Sequence, residues 1–174
     1  SVKDVLVRSS DIGTSKIALK YKPYDLWRFY HAVGFGEKLN TKFPGETYGI
    51  LLDWKKWHPI DQALMSYGYG ISVSLFQMAH AYTVFTNDGC ILPVSFYKED
   101  KPAPCKQVIS QATARSVRDI LAENTERGTG RNAQLEDYTT GGKTGTAQKL
   151  INGHYSDHNH ISSFVGFAPV EKPR

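Results

Sequence analysis

One short segment near the carboxyl end of the sequence combines a cation, two hydroxyls and several glycines: Gly141-Gly142-Lys143-Thr144-Gly145-Thr146-Ala147. In a strand, Lys143 and Gly145 face one way, and Thr144 and Thr146 face the other. The glycines leave room for a ligand backbone, and a strand edge can pair with an extended peptide. An ammonium and hydroxyls bind a carboxylate. The segment predicts a site for a carboxylate-bearing ligand, although taken alone it also fits a glycine-rich strand with a solvated lysine.

A second polar cluster, Ser9-Ser10-Asp11, lies well upstream, at a break between two predicted helices. Short side chains at such a break can project into a cleft, but the cluster alone also fits a plain helix cap, with Asp11 as the N-cap. A site built from both segments requires the serine-containing bend to lie alongside the lysine-bearing strand. The hydroxyl of Ser9 and the ammonium of Lys143 are then expected to line one groove.

Hydrophobic periodicity and turn residues predict the elements that would position these groups. Helices come first and an antiparallel hairpin last, around the turn signal Asn152-Gly153, which indicates an α+β domain with helices packed on an antiparallel sheet. The predicted helices cover residues 2–8, 12–21, 23–34, 74–86 and 110–124, the predicted strands cover 91–98, 139–150 and 161–169, and residues 35–58 and 126–136 are expected to be largely irregular, the latter a flexible loop.

Composition excludes several classes of protein. The 174 residues are 40% hydrophobic and 22% charged, as in ordinary globular domains. No stretch approaches about 20 apolar residues, so no transmembrane helix is expected, and Ser1-Val2-Lys3-Asp4 does not resemble the start of a signal peptide. The net charge is +4, and Lys and Arg occur in no run longer than two. A nucleic-acid-binding surface is therefore not expected, whereas a carboxylate-bearing substrate suits the mild positive charge.

The cysteines and three of the histidines have simple interpretations. Cys90 and Cys105 are close enough in sequence to be bridged, but two unpaired thiols are favoured, because a domain of this size does not need a crosslink. His154, His158 and His160 are close together, yet no carboxylate or cysteine pattern frames them as metal ligands. A solvated hairpin loop is the favoured interpretation of these histidines, and no metal is expected.

In this order, Ser9-Ser10-Asp11 and Lys143-Thr144-Gly145 resemble the Ser-x-Asn and Lys-Thr-Gly motifs of the penicilloyl-serine transferases. The resemblance extends over nearly the whole chain, and it is to division-type class B penicillin-binding proteins. The resembling segments are Ser9 to Lys16, Gly34-Phe35-Gly36, Ser66-Tyr67-Gly68-Tyr69-Gly70, the helix through Gln77 and Tyr82, Lys143 to Ala147, and Phe164-Val165-Gly166-Phe167-Ala168-Pro169. The family implies the β-lactamase/penicillin-binding-protein transpeptidase fold.

The sequence departs from the family pattern in two ways. Asp11 stands where division-type members usually carry Asn; an ionised carboxylate only accepts hydrogen bonds, whereas an amide also donates. No Ser-x-x-Lys motif, which carries the family's nucleophile, precedes Ser9. Ser95-Phe96-Tyr97-Lys98 fits that pattern but follows Ser9 and lies on a predicted strand, where Ser and Lys face opposite ways, so it is read as coincidence. Residues 1–174 are thus expected to be a partial domain, lacking the Ser-x-x-Lys region and the family's last strand and helix.

The resemblance implies a peptidoglycan D,D-transpeptidase whose serine attacks the terminal D-Ala-D-Ala of a stem peptide, and which β-lactams acylate. Ser9 would relay protons, Asp11 would orient the lysine of the absent motif, and Lys143 would supply positive potential. Thr144 and Thr146 would bind the substrate carboxylate along the strand through Gly145, and the backbone N–H of Thr146 would be an oxyanion donor. Tyr67 and Tyr69 would either form an aromatic wall of the cleft or serve as ordinary packing residues.

The same resemblance implies stem peptides and β-lactams as partners, with division proteins as further candidates, and it requires no cofactor. The parent protein would act on the periplasmic face of the inner membrane, attached only through an N-terminal anchor outside these residues. Two alternatives remain: a β-lactamase or β-lactam sensor, which shares both motifs, and a non-catalytic binding module. For the isolated chain, which lacks the nucleophile, no activity is expected.

Overall fold

The computed structural model describes residues 1–98, 101 and 103–173. In chain order, the elements are α1 (Val2–Val7), α2 (Asp11–Ala18), α3 (Pro23–Ala32), β1 (Ile50–Leu51), α4 (Pro59–Met65), β2 (Ile71–Ser72), α5 (Leu75–Thr86), β3 (Cys90–Ile91), β4 (Lys106–Gln107), α6 (Gln111–Arg127), β5 (Gly141–Ile151) and β6 (His154–Phe167), with 3₁₀ turns at Trp54–Lys56 and Arg131–Ala133. The chain forms two units: Ser1–Ser9 with Asp119–Arg174, and Ser10–Arg118.

The first unit contains α1, the C-terminal part of α6 and the β5–β6 hairpin. Charged pairs join α1 to α6 on the surface, where Lys3 and Arg127 both bind Glu123 and Arg127 also lies 3.5 Å from Asp4. The hydrogen bond from Lys3, with help from Arg127, lowers the pKa of the Glu123 carboxyl. These contacts fix the helix that leads into Ser9.

The β5–β6 hairpin is antiparallel, with Gly141 opposite Phe167 and Thr146 opposite Ser162. Asn152 and Gly153 both have positive φ, 51° and 81°. A two-residue turn of this kind matches the twist of the strands and lets them pair on both sides of it. For that reason β6 begins at His154, and the prediction that the second strand begins at residue 161 is wrong.

The second unit has a small apolar core formed by Val33, Phe35, Ala81 and Ile91. Beside it, Gln77 on α5 is only 1% exposed, and its amide nitrogen donates to the carbonyls of Gly34, Glu37 and Tyr48. A buried amide requires hydrogen-bond partners, and here the partners are backbone carbonyls of the turn-rich segment between α3 and β1. The three bonds therefore hold that segment against α5. The segment between α3 and β1 is irregular, as the sequence predicts.

Three of the helix predictions are confirmed, and the prediction for α2 needs correction. The helices at α1, α3 and α5 lie where they are expected, and Ser74 caps α5. The N-cap of α2 is Ser10 rather than Asp11, since the Ser10 hydroxyl accepts from the amide of Gly13 at 3.2 Å. The helix also ends earlier than predicted, because Lys20 and Tyr21 turn back to carbonyls three residues earlier.

Two short elements differ from the prediction for the middle of the chain. Helix α4, for which no element is predicted from the sequence, begins at Pro59 and has a capping box in which the Asp61 carboxylate accepts from the amide of His58 at 2.8 Å. The strand predicted over residues 91–98 is reduced to β3, with residues 92–98 outside any strand. Pro93 has no N–H to donate to a ladder, which ends the pairing. Residues 95–98 also form no helical turn.

The preference for two unpaired cysteines is wrong. Cys90 and Cys105 form a disulfide, with their Cα atoms 5.9 Å apart. The short β3–β4 ladder pairs Ile91 with Lys106 and thereby brings the two cysteines together. The bridge closes the segment between the two strands, part of which lies outside the described residues.

Candidate active site

The hydroxyl of Ser9 and the ammonium of Lys143 meet in the first unit, where Lys143 Nζ donates to Ser9 Oγ at 2.8 Å. The sequence predicts this juxtaposition from two segments that are far apart in the chain, and the structure confirms it. Ser9 is exposed and Lys143 is half-buried. A hydroxyl held by an ammonium and open to solvent is able to exchange a proton with a bound ligand.

Ser9 is held in a sharp turn after α1. Its φ is +54°, a left-handed conformation that is uncommon for residues other than glycine. The amide of Ser9 donates to the carbonyl of Leu6 at 3.2 Å, and the carbonyl of Val7 accepts from the side chain of Asn124 at 3.0 Å. Such backbone strain persists only where surrounding contacts fix it. The turn directs the Ser9 hydroxyl toward β5.

Lys143 reaches both sides of its strand. Alternation along β5 places its Cβ on the opposite face from that of Thr144, yet Lys143 Nζ lies 3.0 Å from the carbonyl oxygen of Thr144 and 3.5 Å from its hydroxyl. The four-carbon stem of lysine is long and flexible enough to curl around the strand. The predicted separation of the two side chains by strand faces therefore does not keep their polar atoms apart.

Thr129 is a site residue that the sequence analysis missed. Its hydroxyl lies 2.8 Å from the hydroxyl of Thr144 and 3.5 Å from Lys143 Nζ. The segment around it is predicted as a flexible loop from residue 126, but α6 continues to Arg127. The amides of Gly128 and Gly130 both donate to the carbonyl of Asn124. A hydroxyl between two glycines that close a helix was the available signal.

The paired glycines at the start of β5 make room for aromatic rings of the hairpin itself. A Cβ on Gly141 would lie 2.7 Å from the ring of Phe167, and a Cβ on Gly142 would lie 2.3 Å from the ring of Phe164. The expectation that these glycines accommodate a ligand backbone is therefore wrong for both positions. Their role is to let the β5–β6 sheet pack.

Thr144, Gly145 and Thr146 lie on β5, opposite Phe164, Ser163 and Ser162 of β6. Gly145 and Thr146 are exposed. Within the part of the chain that the structure describes, β5 and β6 form a two-stranded sheet, so β5 has one edge that pairs with no strand. Such an edge offers backbone donors and acceptors to an extended peptide.

The remaining predicted site residues belong to the second unit. Asp11 is the exposed first residue of α2. Tyr67 and Tyr69 follow α4, where their rings pack edge to face with centroids 5.7 Å apart. Both tyrosines are half-buried. Mutual packing is thus one role that the two rings have, and a part in ligand binding stays a prediction.

The histidines near the hairpin turn are strand residues, not loop residues as predicted. His154, His158 and His160 are all exposed and lie within β6. His160 pairs with Gln148 and His154 with Ile151, and the register of the ladder shifts between Gln148 and Leu150 of β5. Among the described residues, no group of three or more His, Cys, Asp or Glu side chains is arranged to hold a metal ion. In the same residues, no helix is long and apolar enough to cross a bilayer.

Comparison with known families identifies the family to which the chain belongs. The family model described as "Penicillin binding protein transpeptidase domain" matches residues 1–174. The chain belongs to this transpeptidase family. The resemblance inferred from the two motifs is confirmed over the whole sequence.

Relatives of this transpeptidase chain carry consistent names. It is 45% identical over 174 residues to a probable peptidoglycan D,D-transpeptidase PenA of Neisseria flavescens, covering 99% of this chain and 44% of the relative. It is 44% identical to the PenA of Neisseria meningitidis serogroup A, covering 99% and 30% of the two chains. It is 36% identical to stage V sporulation protein D of Bacillus subtilis, covering 98% and 28%. The chain spans less than half the length of these curated relatives.

Solved structures confirm the transpeptidase fold. The apo transpeptidase domain of penicillin-binding protein 3 from Burkholderia pseudomallei superposes with a TM-score of 0.94 at 43% identity, covering 99% of this chain and 53% of that one. Penicillin-binding protein 3 of Mycobacterium tuberculosis, in complex with aztreonam, superposes with a TM-score of 0.91 at 28% identity, covering 99% and 43%. The predicted α+β fold, with antiparallel sheet flanked by helices, is confirmed.

Proposed function

We propose that this transpeptidase chain is part of a peptidoglycan D,D-transpeptidase that cross-links stem peptides through a serine acyl-enzyme. The observation that carries the proposal is the 2.8 Å contact between Lys143 Nζ and Ser9 Oγ, beside a strand edge without a pairing strand among the described residues. No Ser-x-x-Lys precedes Ser9 in this sequence. The nucleophile would come from a Ser-x-x-Lys motif outside these residues.

In this proposal the serine attacks the carbonyl of D-Ala-D-Ala and its proton passes to the lysine of the same motif. Ser9 then relays a proton to the departing nitrogen of D-alanine, and the ammonium of Lys143 keeps the Ser9 hydroxyl oriented and its surroundings positive. The amino group of a second stem peptide then attacks the ester carbonyl of the acyl-enzyme. The serine oxygen leaves, and the proton lost by the amine returns to it along the same groups in the opposite direction. Asp11 would orient the lysine of the nucleophile motif, as an ion pair, because an ionised carboxylate accepts but does not donate.

Substrate binding would use the exposed length of β5. Thr144 and Thr146 would bind the carboxylate of the stem peptide or β-lactam, while the peptide backbone pairs along Gly145. The N–H of Thr146 would stabilise the oxyanion, an interaction whose loss typically costs about 3 kcal/mol. Tyr69 is a further residue proposed to contact the ligand.

The names of relatives and solved structures support β-lactams and division proteins as partners and a location outside the inner membrane. A mycobacterial penicillin-binding protein 3 was solved with aztreonam and with ampicillin, which supports acylation by β-lactams. A relative named FtsI, from Buchnera aphidicola, supports a place beside division proteins. The substrate, peptidoglycan, lies outside the inner membrane, so the proposal places the protein there, held by an anchor outside these residues, with no nucleic-acid partner.

Fluorescent penicillin tests the proposal on the full-length gene product. The expected result is a covalent label that survives denaturing electrophoresis and is blocked by prior incubation with ampicillin. Absence of any specific label at saturating penicillin would overturn the proposed function and would leave a non-catalytic binding module. The rate at which the label is lost separates the remaining alternative, because turnover within seconds would indicate a β-lactamase rather than a transpeptidase.

A further inference from the structure

Asn124 is a polar side chain buried beneath the candidate active site. It lies in the last turns of α6 and is 1% exposed. Its amide nitrogen donates to the carbonyl of Val7 at 3.0 Å and to the hydroxyl of Thr129 at 3.3 Å. One buried amide therefore contacts both the turn that carries Ser9 and the loop hydroxyl that lies against Lys143. A buried amide in such a place usually has a specific role.

The orientation of the Asn124 amide is determined by its surroundings. Turning the amide over would place its oxygen against the carbonyl oxygen of Val7, and two acceptors repel each other. The nitrogen must therefore face Val7 and Thr129. The oxygen is left buried, without a hydrogen-bond partner among the described residues. Leaving a buried acceptor unpaired is costly, so the two bonds that the nitrogen makes must outweigh that cost.

This orientation fixes the direction of a chain of hydroxyls. The Asn124 nitrogen and the Lys143 ammonium can only donate, so the Thr129 oxygen accepts from both. The nearest acceptor for the Thr129 proton is the hydroxyl oxygen of Thr144 at 2.8 Å, so the donors around Thr129 favour a bond from Thr129 to Thr144 over the reverse. Thr144 accepts that bond, and its own O–H proton is directed elsewhere. An O–H donor is what a ligand carboxylate requires.

We propose that Asn124 is a positioning residue: through Thr129, its amide makes Thr144 present an O–H donor to the carboxylate of the substrate or β-lactam. This inference rests on the proposed function, because it assumes that a carboxylate binds at Thr144. Asn124 touches neither ligand nor reacting atoms. Its effect on carboxylate recognition passes through Thr129, whereas its bond to the carbonyl of Val7 supports the Ser9 turn and so affects the acylation of carboxylate-bearing and carboxylate-free compounds alike.

The test compares benzylpenicillin with its methyl ester, which lacks the carboxylate charge, on the full-length gene product. The preference is the ratio of the two acylation rate constants, and it is independent of the fraction of protein that is folded. Asn124→Ala and Thr129→Val are expected to lower this preference about tenfold, the size of one hydrogen bond to a charged group. Thr129→Ser, which keeps the hydroxyl, should retain the wild-type preference.

Two further variants separate positioning from general support of the fold. The double variant N124A/T129V should lose no more preference than T129V alone, because Asn124 acts through Thr129. Asn124→Asp keeps the size of the side chain, but an ionised carboxylate cannot donate to Thr129. The preference of this variant for benzylpenicillin over the ester should therefore fall as pH rises and the carboxyl ionises, whereas the wild-type preference should not change with pH.

Each outcome decides between the two proposals. A wild-type protein that neither penicillin nor its ester labels would refute the proposed function. A labelled wild type with unchanged preference in N124A would overturn the role of Asn124 alone. If N124A and N124D are labelled by neither compound while the wild type is labelled, Asn124 supports folding only, and the positioning role is likewise overturned.

Discussion

The ammonium of Lys143 lies 2.8 Å from the hydroxyl of Ser9, a residue 134 positions earlier in the chain. Neither residue is held there by its own element alone. The Ser9 turn depends on the end of α1 and on Asn124, and Lys143 depends on the pairing of β5 with β6. Because the two residues come from distant segments, the contact forms only when the first unit is folded.

Replacing Lys143 by alanine should abolish covalent labelling of the full-length gene product by fluorescent penicillin. The substitution removes the ammonium that donates to Ser9 Oγ and to the carbonyl of Thr144. Hydrogen bonds from charged groups contribute about 1.5–3 kcal/mol each, so losing these two should slow acylation by about a hundredfold or more, which leaves no detectable label after a brief exposure to penicillin. Lys149→Ala, on the exposed part of the same strand, is the matched control and should label normally. Unimpaired labelling of the Lys143 variant would reject the role assigned to it.

The two neighbouring serines should give opposite results. Ser9→Ala removes the hydroxyl that Lys143 binds, so acylation should slow at least about tenfold with little change in the midpoint of thermal unfolding. Ser10→Ala removes the N-cap of α2, so unfolding should become easier by about 1 kcal/mol while acylation stays near the wild-type rate. Paired stopped-flow acylation and thermal melts on both variants measure this. Similar losses of acylation in both would contradict the assignment of the proton relay to Ser9.

How much of the site the sequence predicts depends on the range of the contacts. Lys143, Thr144 and Ser9 carry functional groups in a pattern that the family shares, and their meeting was predictable. Thr129 was missed because its role depends on where the end of α6 places a glycine-flanked loop. Nothing in the residue types of that loop sets the distance from Thr129 to β5.

Fold predictions failed where local signals were weak or where pairing decided the outcome. The helices with clear caps and periodicity, such as α3 and α5, lie where they are predicted. The pairing of Cys90 with Cys105 follows from a ladder of two residues, too short to recognise in sequence. The two glycines at the start of β5 were read as space for a ligand, because the rings that fill the space come from β6.

Adding a methyl group at Gly141 or Gly142 should destabilise the hairpin. A smaller side chain in place of the facing ring should restore stability to a different extent at the two positions. The Cβ of Gly141→Ala would lie 2.7 Å from the Phe167 ring, whereas that of Gly142→Ala would meet both the Phe164 ring and the backbone carbonyl of Val165. Each single variant should lose about 1–3 kcal/mol, as overpacking does. Denaturant unfolding of the full-length gene product measures the loss.

Shortening the obstructing ring is the control for this prediction. Phe167→Leu should recover most of the loss caused by Gly141→Ala, because the closest atoms are those of the ring. Phe164→Leu should recover less of the loss caused by Gly142→Ala, because the carbonyl of Val165, 2.7 Å from the new Cβ, cannot move without breaking the sheet. Equal recovery in the two pairs would show that the ring contacts alone set the cost.

Tyr82 should make the protein sensitive to alkali. Tyr82 lies on α5 and packs edge to face against Phe85, with ring centroids 5.6 Å apart. Burial raises the pKa of its phenol to about 12, from an ordinary value of 10.0. Below pH 10 the phenol is neutral in both the folded and the unfolded chain, so the full stability is present. Between pH 10 and 12 only the unfolded chain loses the proton, so stability falls, by about 3 kcal/mol in all.

Tyr82→Phe isolates this effect from the titration of other groups. Its free energy of unfolding should decline less between pH 10 and 12 than that of the wild type, because phenylalanine has no proton to lose. Burial also raises the pKa of Tyr30, so some alkaline loss should persist in the variant. The measurement is chemical unfolding at several pH values, with tyrosinate absorbance recorded on the folded protein. Parallel pH curves for the variant and the wild type would mean that the Tyr82 phenol ionises equally readily in the folded and unfolded chain.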